Sequence, residues 1–166
     1  MKSLFSFLAL FLILSSANIF AQNEVLRELN SLSGISSFGV VVNIEKPASI
    51  DDNELNSRDI RKKIAEQLGE LPIEIISDAI LRQSDQYPIL HIHINVMKAP
   101  NLTYPYSIEL NFYQPVKLVL KNDLQSMAST WNKGQIGVVS EDLLPLIVEQ
   151  AVYTANLFKD EFMEVN

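Results

Sequence analysis

The sequence predicts an α+β domain, a two-layer sandwich in which two helices cover one face of a mostly antiparallel sheet of about five to six strands. Short stretches in which apolar and polar residues alternate are typical of strands that bury one face. Two longer stretches place apolar residues at steps of three and four, as amphipathic helices do. A sheet with one apolar face needs a cover, and these helices supply it.

The first strand and the first helix are predicted near the start of this domain. Residues 38–45 alternate apolar and polar positions and are rich in β-branched side chains, so they form the first strand. Asp51 and Asp52 are predicted to open the helix, because acidic side chains suit the free amides of a first turn. Gly69 is a natural helix end, and a short second strand follows at residues 73–76.

The middle of the chain predicts a hairpin. Residues 89–97 and 104–112 both alternate, and Pro100 with Asn101 supplies a turn between them. We expect an antiparallel pair with one buried and one wet face. Pro115 lacks a backbone donor, so it marks a bulge, a strand break or an edge.

Two further strands and a final helix complete the prediction. The strands are placed at residues 127–131 and 136–139, joined by a tight turn at 132–134 that contains Asn and Gly. The helix is predicted to begin after Ser140 or Asp142. Its apolar positions form the most regular helical pattern in the chain: Leu144, Ile147, Val148, Ala151, Ala155, Phe158 and Phe162.

The N-terminus has the three parts of a secretory signal peptide. Lys2 supplies the positive charge, residues 4–14 form the apolar run, and small residues follow. We expect cleavage after Ala21, with Ala17 as the second choice. The apolar run is shorter than the roughly 20 residues of a membrane span, so no stable span is expected after cleavage.

The predicted organisation is a signal peptide at 1–21, a polar linker at 22–37 with one or two helical turns, and one domain at 38–166. The chain has no cysteine, so disulfides, thiolate metal sites and a thiol nucleophile are excluded. A bacterial lipoprotein needs a cysteine to carry its lipid, so this protein is not expected to be a lipoprotein. The protein is therefore predicted to be exported without a lipid, to the periplasm or the extracellular medium.

The chain carries a formal net charge of −7, which disfavours binding to phosphate backbones and excludes nucleic acid as the expected partner. One basic cluster interrupts this background at Arg58, Arg61, Lys62 and Lys63. It falls on the first predicted helix, where we interpret it as a solvated face.

The chain's only two histidines, His91 and His93, lie two residues apart on a predicted strand, so both imidazoles leave the sheet on the same face. With a turn near Pro100, position 93 lies near 108 or 109 and position 91 near 110 or 111, and of these Glu109 and Asn111 share the outward parity. Two imidazoles and one carboxylate are ligands that zinc accepts, so His91, His93 and Glu109 form a candidate metal site. Ordinary pairing on a sheet surface is the alternative interpretation.

No catalytic residue is predicted. The serines lie outside any Gly-x-Ser-x-Gly motif, and the five glycines are scattered singly, so neither a nucleophile elbow nor a phosphate-binding loop is present. No cofactor is implied. An unrecognised hydrolase remains the third hypothesis for function.

Several hydrophobic segments together resemble a group of small exported bacterial proteins that carry no assigned function. The resemblance covers roughly residues 36–166 and implies no activity and no site residues. Its motifs are Phe38-Gly39-Val40-Val41-Val42, Tyr106-Ser107-Ile108, Gln114-Pro115-Val116, Thr130-Trp131 with Gly134 and Gly137, and the closing Val165-Asn166.

The leading hypothesis is an exported, non-enzymatic domain that binds another component of the cell envelope or a secreted protein. The alternative is a protein that binds a small ligand or a metal on the polar sheet face around His91 and His93.

Overall fold

A computed structural model describes residue 23 and residues 25–84, 86–120 and 124–166. The predicted signal peptide lies outside these residues, as does the turn that Asn122 and Asp123 predict from their residue types. The α+β prediction is confirmed: within this part of the chain, four helices accompany one open sheet of five strands. In chain order the elements are α1 (25–31), β1 (Ser37–Glu45), α2 (Ser57–Leu68), β2 (Glu74–Ile76), α3 (Asp78–Leu81), β3 (Ile89–Val96), β4 (Thr103–Lys117), β5 (Gln125–Ser140) and α4 (Pro145–Val165), with 3₁₀ turns at Pro100–Leu102 and Glu141–Leu143.

The sheet is mixed, with the strand order β2-β1-β3-β4-β5. β1 pairs in parallel with both β2 and β3, whereas β3 pairs antiparallel with β4, and β4 antiparallel with β5. Most of the paired residues are antiparallel because β4 and β5 are the longest strands. The predicted hairpin is therefore confirmed, and the parallel pairs arise because the chain returns through α2 and through α3.

α2 and α4 share one hydrophobic core with one face of the sheet. An aromatic cluster joins the two layers, and Phe158 of α4 lies at its centre. The Phe38 ring meets Phe112 edge-on at 5.4 Å and Phe158 at 5.5 Å, and Trp131 meets Phe158 at 5.0 Å. Each such pair contributes about 0.5–1.5 kcal/mol beyond the burial of its surface.

The segment predicted to be a polar linker contains α1 and a residue of the core. Leu32 is fully buried. The Ser31 hydroxyl donates a hydrogen bond to the Thr130 carbonyl of β5 at 3.0 Å, and Gln114 donates to the Ser31 carbonyl at 2.8 Å. Residues 25–37 thus pack with the domain, and the core begins before Phe38.

The predicted start of the first helix was wrong. α2 begins at Ser57, and the Asn56 side chain accepts hydrogen bonds from the amides of Arg58 and Asp59. Asp51 instead caps a local turn, since its carboxylate accepts from the Asn53 amide at 2.7 Å. Asp and Asn serve both purposes equally well, so the composition alone does not separate a turn from a helix start.

The predicted tight turn at 132–134 was also wrong, because β5 runs through it as one strand. Lys133 pairs with Leu110 and Gly134 with Glu109, so the cross-strand ladder outweighs the local turn preference. The irregularity lies nearby, at a bulge where Thr130 is the extra residue of β5.

Pro115 lies at a point where none of the described strands pairs with β4 on one side. The Pro105 carbonyl accepts a hydrogen bond from the Met97 amide at 2.9 Å, so odd-numbered residues of β4 direct their backbone groups towards β3. The pairing of β3 with β4 ends at Ile89 and Tyr113, before Pro115 is reached. The missing donor of Pro115 therefore costs no ladder hydrogen bond, as the edge interpretation predicts.

Candidate functional site

The second face of the sheet is the candidate site, because it lies opposite the core and carries both predicted histidines. The strand registers arrange its side chains in rows across the sheet. One row joins Val41, His91, Asn111 and Asn132, a second joins Asn43, His93, Glu109 and Gly134, and a third joins Glu45, Asn95, Ser107 and Ile136.

An apolar groove of about 550 Å³ lies at one end of this face. Met97, Ile136 and Val138 line it and are 63%, 87% and 65% exposed. The hairpin of β3 and β4 builds the groove, since Pro105 lies in register with Val138 and Ser107 with Ile136. Large apolar side chains gathered on an open face are typical of a surface that binds a protein or another apolar ligand.

The groove is continuous with a free sheet edge. The odd-numbered residues of β4 direct their backbone N–H and C=O groups towards β3. The residues paired with them in β5 therefore direct their own N–H and C=O groups away from β4, to the outer edge of the sheet. Gly134, Ile136 and Val138 are such partners, and their side chains also lie on the candidate face. β5 is the last strand of the sheet, so these backbone groups form an edge to which another strand can be added.

Only the first part of the β5 edge is covered within the described chain. The Ser31 hydroxyl of α1 donates a hydrogen bond to the Thr130 carbonyl, and the Asn132 side chain donates one to the Glu28 carboxylate at 2.9 Å. Residues 133–140 contain a single charged side chain, Lys133, and it turns to the opposite face to pair with Glu161 of α4 at 2.9 Å. Proteins usually protect such edges with charge, proline or a cover, and this stretch has little of that protection.

His91 lies opposite Asn111 and His93 opposite Glu109, in each case one of the two positions that the sequence predicts. Both imidazoles nevertheless contact β1: His91 Nε2 lies 3.0 Å from Asn43 Nδ2, and His93 Nε2 lies 3.4 Å from Glu45 Oε1. Across the described residues, no three or more His, Cys, Asp or Glu side chains are gathered closely enough to hold a metal ion. The metal site stays a prediction from strand parity.

The two imidazoles influence each other. Their rings stack with centroids 6.2 Å apart. Burial lowers the pKa of His91 below 6.5, and repulsion from His93 lowers it further. A neutral His91 ring can accept a hydrogen bond from the Asn43 amide, which fits their 3.0 Å separation.

A second site was not predicted from the sequence. A groove of about 540 Å³ lies beside β1, and Arg58, Arg61 and Arg82 line it. These are three of the four arginines in the chain. The spacing of Arg58 and Arg61 indicates that they share a helix face, but Arg82 joins them only through the position of α3. The basic cluster predicted from the sequence is thus divided between two surfaces. Its arginines line this groove, whereas Lys62 approaches Glu66 at 3.9 Å and Lys63 lies beside α4.

None of the helices in the described part of the chain is long and apolar enough to cross a membrane. Comparisons with protein-family models and with curated proteins found no match to this sequence.

Proposed function

We propose that this protein is an exported, non-enzymatic domain that binds another envelope or secreted protein by adding an extended segment of that partner to β5. The observation that carries the proposal is the free edge of β5 beside the apolar groove. Export rests on the signal-like sequence at residues 1–21.

Strand addition uses both features of this surface. The backbone groups of Gly134, Ile136 and Val138 supply hydrogen bonds that do not depend on the partner's sequence. Side chains on alternate positions of an added strand lie on the same sheet face as Ile136 and Val138. Those positions supply the specificity.

The expected partner segment is extended and apolar on one face. Ile136 and Val138 are among the most exposed apolar side chains on the described surface, and burying each of them contributes roughly 1.5–3 kcal/mol. Gly134 adds no side chain, so a larger partner residue fits beside it.

The test is site-specific crosslinking in cells. A photoreactive amino acid replaces Ile136 or Val138, and, as a control, Tyr153 on the exposed side of α4. We expect the probes at Ile136 and Val138 to crosslink to one and the same partner, whose mass differs from that of this protein. The probe at Tyr153 is expected to give no such product. A product of twice the protein's own mass would show self-association instead, and equal products from all three positions would contradict the proposal.

A proline variant separates strand addition from apolar contact. The amide of Val138 points out of the sheet, so Val138→Pro removes a free donor and leaves the ladder with β4 intact. We expect it to abolish the crosslink from Ile136, whereas Val138→Thr, which keeps the amide, preserves it. Loss of crosslinking in both variants, or in neither, would contradict strand addition.

A further inference from the structure

The arginine groove lies on the opposite edge of the sheet from β5. β2 contains three residues, and its pairing with β1 ends at Gly39 and Ile76. The chain then turns into α3, and no strand of the described residues pairs with the rest of β1 on that side. α2 and α3 form the walls of the groove that results.

The floor of this groove is the backbone edge of β1. The Gly39 amide donates to the Pro88 carbonyl on the β3 side at 2.9 Å, so the even-numbered residues direct their backbone groups into the groove. Arg61 Nε already donates to the Val40 carbonyl at 2.7 Å. Val42 and Ile44 are the next residues of the same parity, and they lie beyond the end of the β2 register.

The walls carry a local excess of positive charge. Among the described residues that line the groove, Arg58, Arg61 and Arg82 face one carboxylate, that of Asp78, which pairs with Arg61 at 2.7 Å. The N-terminal end of α2, at Ser57, adds the positive end of a helix dipole. In a chain with a net charge of −7, three arginines that converge on one groove indicate an anionic ligand.

We infer that this groove binds an acidic peptide in extended conformation. The peptide backbone pairs with β1 at Val42, and its carboxylates meet the guanidinium groups of Arg58 and Arg82. Arginine suits this task because its planar group binds a carboxylate through two parallel hydrogen bonds. The open strand edge favours a peptide over an isolated small anion, because an isolated anion would leave the edge unused.

The probe is an acetylated peptide of alternating Glu and Val, and binding to the full mature chain is measured by fluorescence anisotropy. We expect the Arg58→Ala, Arg82→Ala double variant to weaken binding about tenfold or more, since both charge-assisted contacts are lost. The matched control is Lys62→Ala, Lys63→Ala, which removes the same charge from the same region and is expected to retain binding. Thermal unfolding of each variant checks that the fold is preserved.

Three outcomes would overturn the inference. Equal losses in the two double variants would show general charge attraction. Undiminished binding of a backbone N-methylated Glu/Val probe would exclude strand pairing. Competition by inorganic phosphate or oligothymidylate as strong as that of the acidic peptide would show a different ligand. Val138→Pro is expected to leave probe binding unchanged, so this test and that of the β5 edge fail independently.

Discussion

At the scale of single residues, His91 couples the candidate face to pH. Its pKa is lowered by burial and by His93, so the unfolded chain binds a proton more readily than the folded one. In the window below the ordinary value of 6.5 and above the lowered value, stability therefore falls as the pH falls. Above 6.5 the group is neutral in both states and contributes no pH dependence.

We expect His91→Asn to lose less stability on acidification than the wild type. The substitution removes the titrating ring but retains a polar partner for Asn43. Urea denaturation at pH 7.5 and at pH 5 measures the difference, and NMR titration of the His91 ring reports its pKa directly. The acidic residues are common to both proteins, so an identical pH dependence in the two would contradict the assignment.

At the scale of elements, Gly39 fixes the position of α3 against the sheet. A Cβ at this position would overlap the end of the Leu81 side chain, so any larger residue at position 39 requires Leu81 to move. Leu81 and Arg82 follow each other in the chain, and both line the arginine groove. The packing of Leu81 on Gly39 thus helps to place Arg82.

Gly39→Ala is expected to destabilise the protein by about 1 kcal/mol, the low end of the range for overpacking, because the flexible end of Leu81 can shift. Adding Leu81→Ala should restore part of that loss by making space for the new methyl group. Chemical denaturation of the single and double variants measures the coupling between the two sites. Additive effects would show that Leu81 does not oppose a side chain at position 39.

At the scale of the whole molecule, the segment that contains α1 and Leu32 is part of the domain. Leu32 is buried in the core, and the Asn166 side chain donates to its carbonyl at 3.0 Å. α1 also covers the first part of the β5 edge through Ser31 and Glu28. The same segment therefore stabilises the core and determines where the free edge begins.

Leu32→Ala is expected to reduce the free energy of unfolding by about 2–5 kcal/mol, the usual range for a leucine removed from a core. Leu26→Ala is the matched control, because that side chain is 53% exposed and should have little effect. Denaturation of both variants compares the two positions. Equal effects would mean that residues near 32 do not contribute to the core.

The sequence determined the features that depend on local periodicity. The alternation in residues 89–97 and 104–112 predicted both strands of the hairpin and the sheet face that His93 shares with Glu109. The apolar steps of the last segment predicted α4. These predictions held because side-chain parity and helical spacing are properties of neighbouring residues.

Tertiary structure decided the features that depend on distant partners. Pairing with Leu110 and Glu109 of β4 keeps the predicted turn at 132–134 extended, so β5 is one continuous strand. Contacts with β5 bring the polar segment that contains α1 into the domain. Arg82 joined Arg58 because β2 is short and α3 turns back beside β1. No local pattern encodes which backbone edges remain free, since that depends on where every other strand ends. Both proposed binding surfaces are of this kind.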